Sequence, residues 1–392
     1  MSMEYKAVVI TGRKDSGAFA IAKTLCDRNA EFYMARIATT RARNAEDADG
    51  QYEYLNKEEF SAAVESVDLL AKVEYEGNSY GIRKETPKSP RGKDRVPVVF
   101  ASPEVFSNGF AKLSIAACPL FSVFIYAPIT ARIGTTKDKK SIVLPFQEHD
   151  SEDRRLASSC IYAASSLNPA KTVDLVLTLW EHRSNGGVLP KRLIGLAIDC
   201  GMLLEGVDDV SKIKGASYDL SLGDEYYYGG EIETLTDKNP FVCIEPYDYA
   251  IVTSKENANF PRDVVARFDL SVGLFCQGVI LSNGPQVDAG FKGKLFCLLF
   301  NTSNAPVFLK RGQHHVTLEF HKLIEPTDPY TGQYQDKVSI VDYLPSNTLK
   351  GAVNELKKEL EEVKSQGQNL QTTILGMLSI LLAIIAILLA LR

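Results

Sequence analysis

Hydrophobic and polar positions along this chain fall into distinct rhythms. Near the start, Ala7-Val8-Val9-Ile10 reads as a buried strand that passes through Gly12 and Gly17 into a helical pattern over residues 20–28. Residues 96–100 give another strand-like run, and residues 173–179 are expected to supply the last strand of the same α/β unit. After the turn-rich Ser184-Asn185-Gly186-Gly187, short apolar runs are punctuated by Gly, Pro and Asn, an all-β signal. Farther on, Val353, Leu356, Leu360 and Val363 are spaced three, four, three, the a and d positions of a coiled coil. Leu370 keeps that phase, and Glu359 and Lys364 fall at g and e. Residues 374–391 then carry no charge at all.

With Thr372 and Thr373, the uncharged run reaches roughly 30 Å as a helix, about the hydrocarbon thickness of a bilayer. The pattern therefore predicts a stalk over residues 346–371 and a single membrane span over residues 372–391, making a lipid bilayer a partner. A buried core helix is the alternative for the span, and an amphipathic helix lying on its own domain the alternative for a self-associating stalk. The opening Met1-Ser2-Met3-Glu4-Tyr5-Lys6 lacks the form of a signal peptide, so the N-terminal part is expected in the cytoplasm, anchored from its C-terminal end.

A length of 392 residues suggests two or three domains, and the pattern divides them as 1–185 and 188–330 ahead of the stalk. Lys plus Arg (44) against Asp plus Glu (49) leaves a net charge of −5, which argues against nucleic acid as a partner. The seven cysteines include no C-x-x-C pair, so neither a zinc knuckle nor a redox dithiol is expected. His314, His315 and His321 lie near one strand; strict alternation puts His315 and His321 on one face and His314 on the other, and no metal site is assigned to them.

The segments Thr39-Thr40-Arg41-Ala42-Arg43-Asn44, Asp49-Gly50-Gln51-Tyr52-Glu53-Tyr54, Glu58-Glu59-Phe60 and Tyr75-Glu76-Gly77-Asn78-Ser79-Tyr80-Gly81 resemble, in order and spacing, the nucleoside-monophosphate-binding region of the guanylate kinase family. The resemblance extends over roughly residues 5–180 and implies a P-loop α/β fold. It also implies that Arg41, Arg43, Tyr52 and Tyr80 hold the phosphate of GMP, a task suited to guanidinium forks and phenol donors. Asp153-Arg154-Arg155-Leu156 resembles the family's catalytic arginine helix, which makes Arg155 a further candidate. The departures matter equally. Ala18 and Phe19 stand where the phosphate-loop Lys and the Mg²⁺-holding Ser or Thr belong, Ala71 where the guanine is read, Ile82 at a phosphate-contacting Ser, and Phe100 and Ser102 where acids are expected. Phosphoryl transfer without these groups loses most of its electrostatic stabilisation, so a pseudokinase is expected.

Farther on, Ser217-Tyr218-Asp219-Leu220-Ser221-Leu222-Gly223, Ala266-Arg267-Phe268-Asp269-Leu270-Ser271, Val287-Asp288-Ala289-Gly290-Phe291 and Leu309-Lys310-Arg311-Gly312 resemble the dCTP deaminase and dUTPase superfamily. That resemblance implies a distorted all-β barrel and a homotrimer with sites between subunits. It makes Arg267 and Ser271 nucleotide-binding candidates and Asp288 a catalytic candidate for water activation. A structural Asp in a turn is the alternative for Asp288. The Glu that activates water for deamination belongs just before Phe300-Asn301, where this chain has Cys297-Leu298-Leu299. An apolar side chain cannot carry a proton.

These features converge on a membrane-tethered, catalytically degenerate nucleotide sensor. An anchored dUTP- or dCTP-metabolising enzyme working through Asp288 is one alternative, and a trimeric scaffold without ligand is another. Mg²⁺ enters only if a nucleoside triphosphate binds.

Overall fold

The computed structural model describes residues 4–13, 16–45, 47, 49–85, 87–88, 94–113, 118–127, 153, 155–282, 286–344 and 352–390, the side chains of 352–358 and 384–390 excepted. The N-terminal unit is built on a parallel sheet in the order Phe32–Met34, Val96–Ala101, Ala7–Gly12, Leu120–Tyr126, Tyr162–Ser165. Its central strand Ala7–Gly12 is buried throughout, which explains an apolar run with no polar alternation. Gly17 then turns the chain at φ 73°, a left-handed conformation that favours glycine, to start the helix Ala18–Arg28. A second, four-stranded sheet orders Tyr52–Tyr54, Ile37–Thr39, Asn78–Arg83 and Leu69–Tyr75, and carries the phosphate-binding candidates.

Residues 173–179 are not a strand. They lie within the helix Pro169–Glu181, started by Asn168, whose side chain accepts from the Lys171 amide, and by Pro169 at the first turn. Val173, Val176, Leu179 and Trp180 repeat at helical spacing and all are buried, so the β-branched composition yields to the buried face. The true last strand is the short Tyr162–Ser165. The all-β reading after the joint likewise misses the helix Lys191–Asp199, which begins after Pro190 and buries Leu193, Ile194 and Ala197 on one side.

The β unit is a strongly twisted sheet ordered Val279–Leu281, Lys292–Asn301, Tyr249–Asn259, Ser217–Tyr228, His314–Lys322, Val264–Leu270, Gln286–Val287. Burial in Lys292–Asn301 alternates without exception, with Leu295, Cys297 and Leu299 inside. The expected histidine faces are corrected here. The ladder to Ser217–Tyr228 shifts between Leu220 and Ser221, a bulge that buries both His315 and Val316. His314 and His321 consequently point outward together, and His315 alone faces the core.

One apolar cluster runs without a break from the parallel sheet through Trp180 and Leu193 into the barrel interior. A polar clasp sits in the same contact: the Tyr162 hydroxyl donates to Asp263 Oδ2 at 2.5 Å, and Lys322 Nζ approaches the same oxygen at 3.3 Å. Asp263 and Lys322 are both buried and both belong to the β unit, so the join between the units is apolar packing together with the Tyr162 hydroxyl bonded to this buried ion pair.

Residues 352–390, where a coiled-coil stalk and a membrane span are expected, form one continuous helix, Ala352–Ala390, and neither the coiled coil nor the span is shown by it. Leu360, Val363 and Leu370 on the proposed seam are exposed in the single chain. Among the described residues no helix is long and apolar enough to cross a membrane. The side chains of 384–390 within the expected span, its last residue 391, and the start of the stalk at 346–351 fall outside the described residues.

Candidate functional site

The loop following Ala7–Gly12 is closed by its own side chains. Ser16 Oγ donates to the Arg13 carbonyl at 2.6 Å and accepts from the Ala18 amide at 3.3 Å, and Arg13 pairs with Asp153. The helix-start amide that would face a phosphate is thus already bonded. Where a Mg²⁺-holding hydroxyl and an acid are expected, Phe19 and Phe100 meet edge to face with ring centroids 5.7 Å apart. Two half-buried aromatic rings replace the polar groups such chemistry needs. Lys14 and Asp15 of this loop lie outside the described residues.

Three of the four phosphate candidates do converge. The guanidinium of Arg41 stands over the Tyr52 ring at 5.0 Å, and the buried Tyr80 pairs across the strand ladder with Thr39, where the Arg41 charge opposes the rise that burial gives its phenol. An anion already occupies their centre. The Asp47 carboxylate accepts both Arg41 Nη2 contacts at 2.8 and 2.9 Å, the Tyr54 hydroxyl at 2.6 Å and the Asn44 amide at 2.8 Å. Burial would raise its pKa, but these bonds from Arg41, Tyr54 and Asn44 outweigh it and hold Asp47 below the ordinary carboxylate range. Burial raises the Tyr52 phenol, with the Arg41 charge pulling the other way, so it stays a neutral donor. Arg43 is left out of the cluster, facing solvent with the exposed Asp49 at 3.0 Å. Asp47 was missed from sequence; its signal was an acid placed shortly after an arginine pair in a loop of small polar residues. Ala71 and Ile82 are buried in the four-stranded sheet, so the base-reading and second phosphate positions are part of the core.

The barrel candidates are dispersed. Arg267 is exposed on Val264–Leu270, opposite Glu319 and Gln286. Asp288 is an exposed turn residue: its carbonyl accepts from the Phe291 amide at 3.2 Å, its carboxylate from Gln286 Nε2 at 3.1 Å, and Gly290 takes φ 75°. Ser271 is buried at the far end of that strand, before the short helix Val272–Phe275, with its amide on the His315 carbonyl. Since Val287 pairs with Ala266, Asp288 and Ser271 stand roughly 20 Å apart along the strand at about 3.3 Å per residue, and one chain does not bring them into a common pocket. On Lys292–Asn301, Cys297 and Leu299 are core residues and Leu298 faces outward opposite Ile251. Burial pushes the Cys297 thiol up to about 12. No three acids, histidines or cysteines gather as a metal site among the described residues. Arg155 is exposed and lines a cleft between the two units.

Residues 196–323 match the family model described as dCTP deaminase-like, and residues 4–143 match the guanylate kinase model. The dCTP deaminase of Pyrococcus horikoshii is 34% identical over 141 residues, covering 36% of this chain and 88% of that protein. The dCTP deaminase of Thermococcus kodakarensis is 38% identical over 135 residues, covering 34% and 85%. Among solved structures, a 2'-deoxycytidine 5'-triphosphate deaminase from Agrobacterium tumefaciens matches at a TM-score of 0.31 and 20% identity, over 35% of this chain and 49% of that one. A guanylate kinase from Anaplasma phagocytophilum matches at 0.31 and 16%, over 46% and 86%.

Proposed function

This chain belongs to the dCTP deaminase-like family through residues 196–323, and we propose that it binds a nucleotide without turning it over, as a sensor held at a membrane. The observation that carries this reading is the strand Lys292–Asn301. Its residues contain no carboxylate, and the stretch where water would be activated, Cys297-Leu298-Leu299, is apolar on both faces. Deamination needs a group that takes and returns a proton, and none is offered there. The Phe19–Phe100 contact supports the same reading for the kinase-like unit. Arg267, Asp288 and Ser271 are spread along one chain, an arrangement suited to a site completed by other copies in a homotrimer. The exposed apolar positions of Ala352–Ala390 suit association of the stalk and, with residues 384–391, anchoring in lipid.

Incubating the full-length protein in detergent with dCTP or dUTP and Mg²⁺ is expected to give no product above the uncatalysed background. Steady turnover that is abolished by Asp288→Asn would reverse the assignment in favour of an anchored enzyme. A melting-point rise with GMP, GDP, dTTP or dUTP is expected, because a ligand that binds only the folded state stabilises it. No rise at millimolar nucleotide points to a scaffold.

The Arg41 cradle gives a sharper prediction. Asp47→Asn removes the internal anion while keeping an acceptor for Tyr54 and the Asn44 amide. GMP affinity measured by calorimetry is expected to rise about tenfold, close to the value of one charge-assisted contact. Unchanged or weaker binding would mean that Asp47 does not compete for this site.

A further inference from the structure

The outside of the barrel carries an apolar face that one chain leaves half open. Two rows of paired residues cross four adjacent strands there: Ile280 stands opposite Phe300 and Phe300 opposite Tyr249, while Leu298 stands opposite Ile251 and Ile251 opposite Tyr227. The residues between them point inward, and Leu299, Ala250 and Val252 fill the barrel core. Among the described residues, Ile280, Phe300, Leu298 and Ile251 belong to neither core cluster of the chain. Ile280 is 52% exposed, and the other three are half-buried. Beyond the edge strand Val279–Leu281, the short helix Val272–Phe275 presents Val272 and Phe275 to solvent as well.

An antiparallel sheet with one face in water alternates apolar and polar positions. Lys292–Asn301 keeps that rule only at its first outward positions, Lys292 and Lys294, and breaks it at Phe296, Leu298 and Phe300. Tyr343 covers Phe296, with ring centroids 4.6 Å apart, so the chain supplies its own cover at that one point. An exposed apolar surface that crosses several strands marks a contact with something else. Its ends carry opposite charge. Lys292 and Lys294 lie at one end, and Glu245 and Glu231 at the other, where the Tyr247 amide bonds to the Asn301 carbonyl and Tyr228 pairs with Glu231. A copy of the chain laid end to end on this face sets lysines against acids while the apolar rows meet, whereas anionic lipid would be repelled from the acidic end. We propose that a second copy of this chain covers this face and buries Leu298 and Ile280 in the contact. The inference rests on the homotrimer reading above and adds where the copies meet. It also accounts for Leu298: the stretch where water would be activated is apolar outward because it lies inside a contact between copies.

Pulsed hydroxyl-radical labelling of the full-length protein in detergent, with mass photometry on the same sample, tests this. Ile280→Lys places a charge in the contact, and Ile280→Thr is a milder change; both alter a position already open in the single chain, so each chain should still fold. The parent is expected to run as several copies, and Phe300 to label about threefold faster in Ile280→Lys than in the parent, as water enters a contact that had excluded it. Ile280→Thr should fall between them. Single copies in the parent overturn this proposal and the homotrimer reading together. Several copies with equal Phe300 labelling in the parent and both variants overturn this proposal alone, because detergent or another part of the same chain then covers the face.

Discussion

Replacing Lys322 with Met is expected to destabilise the folded chain by about 3–5 kcal/mol, the range for leaving one partner of a buried ion pair uncompensated. Lys322 and Asp263 retain side-chain exposures of 5% and 1%, so water cannot take over from the missing cation. The geometry makes Asp263 dependent on that cation. Its Oδ2 accepts from Tyr162 and faces Lys322, while its Oδ1 has no hydrogen-bond partner. Burial already drives its pKa upward, and the Lys322 charge is the largest influence holding it down. Without Lys322, the carboxyl must either stay ionised in an apolar contact or take up a proton, and both cost stability. The double variant Asp263→Asn with Lys322→Met should recover much of the loss, since it removes both ions and leaves a neutral acceptor for Tyr162. Urea titration of the three proteins is the check; a loss below about 1 kcal/mol for Lys322→Met would show that the buried pair is not a principal support of the β unit. Tyr162 also lines a cleft between the two units, so the residue that bonds across their contact shapes the wall between them.

The parts of the fold legible in sequence were those where composition and period agree. The buried run Val8-Val9-Ile10 became the central parallel strand, and the alternating Lys292–Asn301 became a barrel strand with Cys297 inward. Reading failed where two local signals compete. Residues 173–179 are rich in Val and Leu, yet the Asn-Pro start and the i, i+3 spacing of Val173 and Val176 belong to a helix. His315 went to the wrong side because one bulged residue shifts every later side chain by one face, and a bulge leaves no mark in an alternation count. For the site, the aromatic substitutions at Phe19 and Phe100 were visible separately, and their contact explains why both occur. The groups at the contact between the units were invisible: Tyr162, Asp263 and Lys322 are far apart in sequence, and Arg155 reads only as part of a catalytic arginine helix until the barrel is placed beside it.

That bulge has an acid-sensitive consequence, and stability is expected to fall steeply between about pH 6.5 and pH 3. His315 is buried at the centre of the barrel wall, with Nδ1 3.2 Å from the Leu220 carbonyl. Burial, reinforced by neighbouring His314 and opposed by the Leu220 carbonyl, lowers its pKa from 6.5 to about 3. The folded state therefore holds the proton less tightly than the unfolded chain. Stability from the neutral ring is complete above the unfolded value near 6.5 and is lost progressively as pH falls toward 3, by roughly 5 kcal/mol in all. Asp263 works in the opposite sense: its raised pKa makes the folded state bind a proton more readily, a contribution lost as pH rises above the ordinary Asp range. Their windows overlap above pH 3.8, so a substitution is needed to separate them. His315→Gln retains a donor for the Leu220 carbonyl but does not titrate. It should be less stable than the parent at pH 7.5, from imperfect packing, and should show a shallower loss between pH 6.5 and 4. Urea midpoints at half-unit pH steps measure both slopes. Equal slopes would remove His315 as the source of acid sensitivity and would place it instead on carboxylates such as Asp47, whose lowered pKa is likewise lost as pH falls through its folded value.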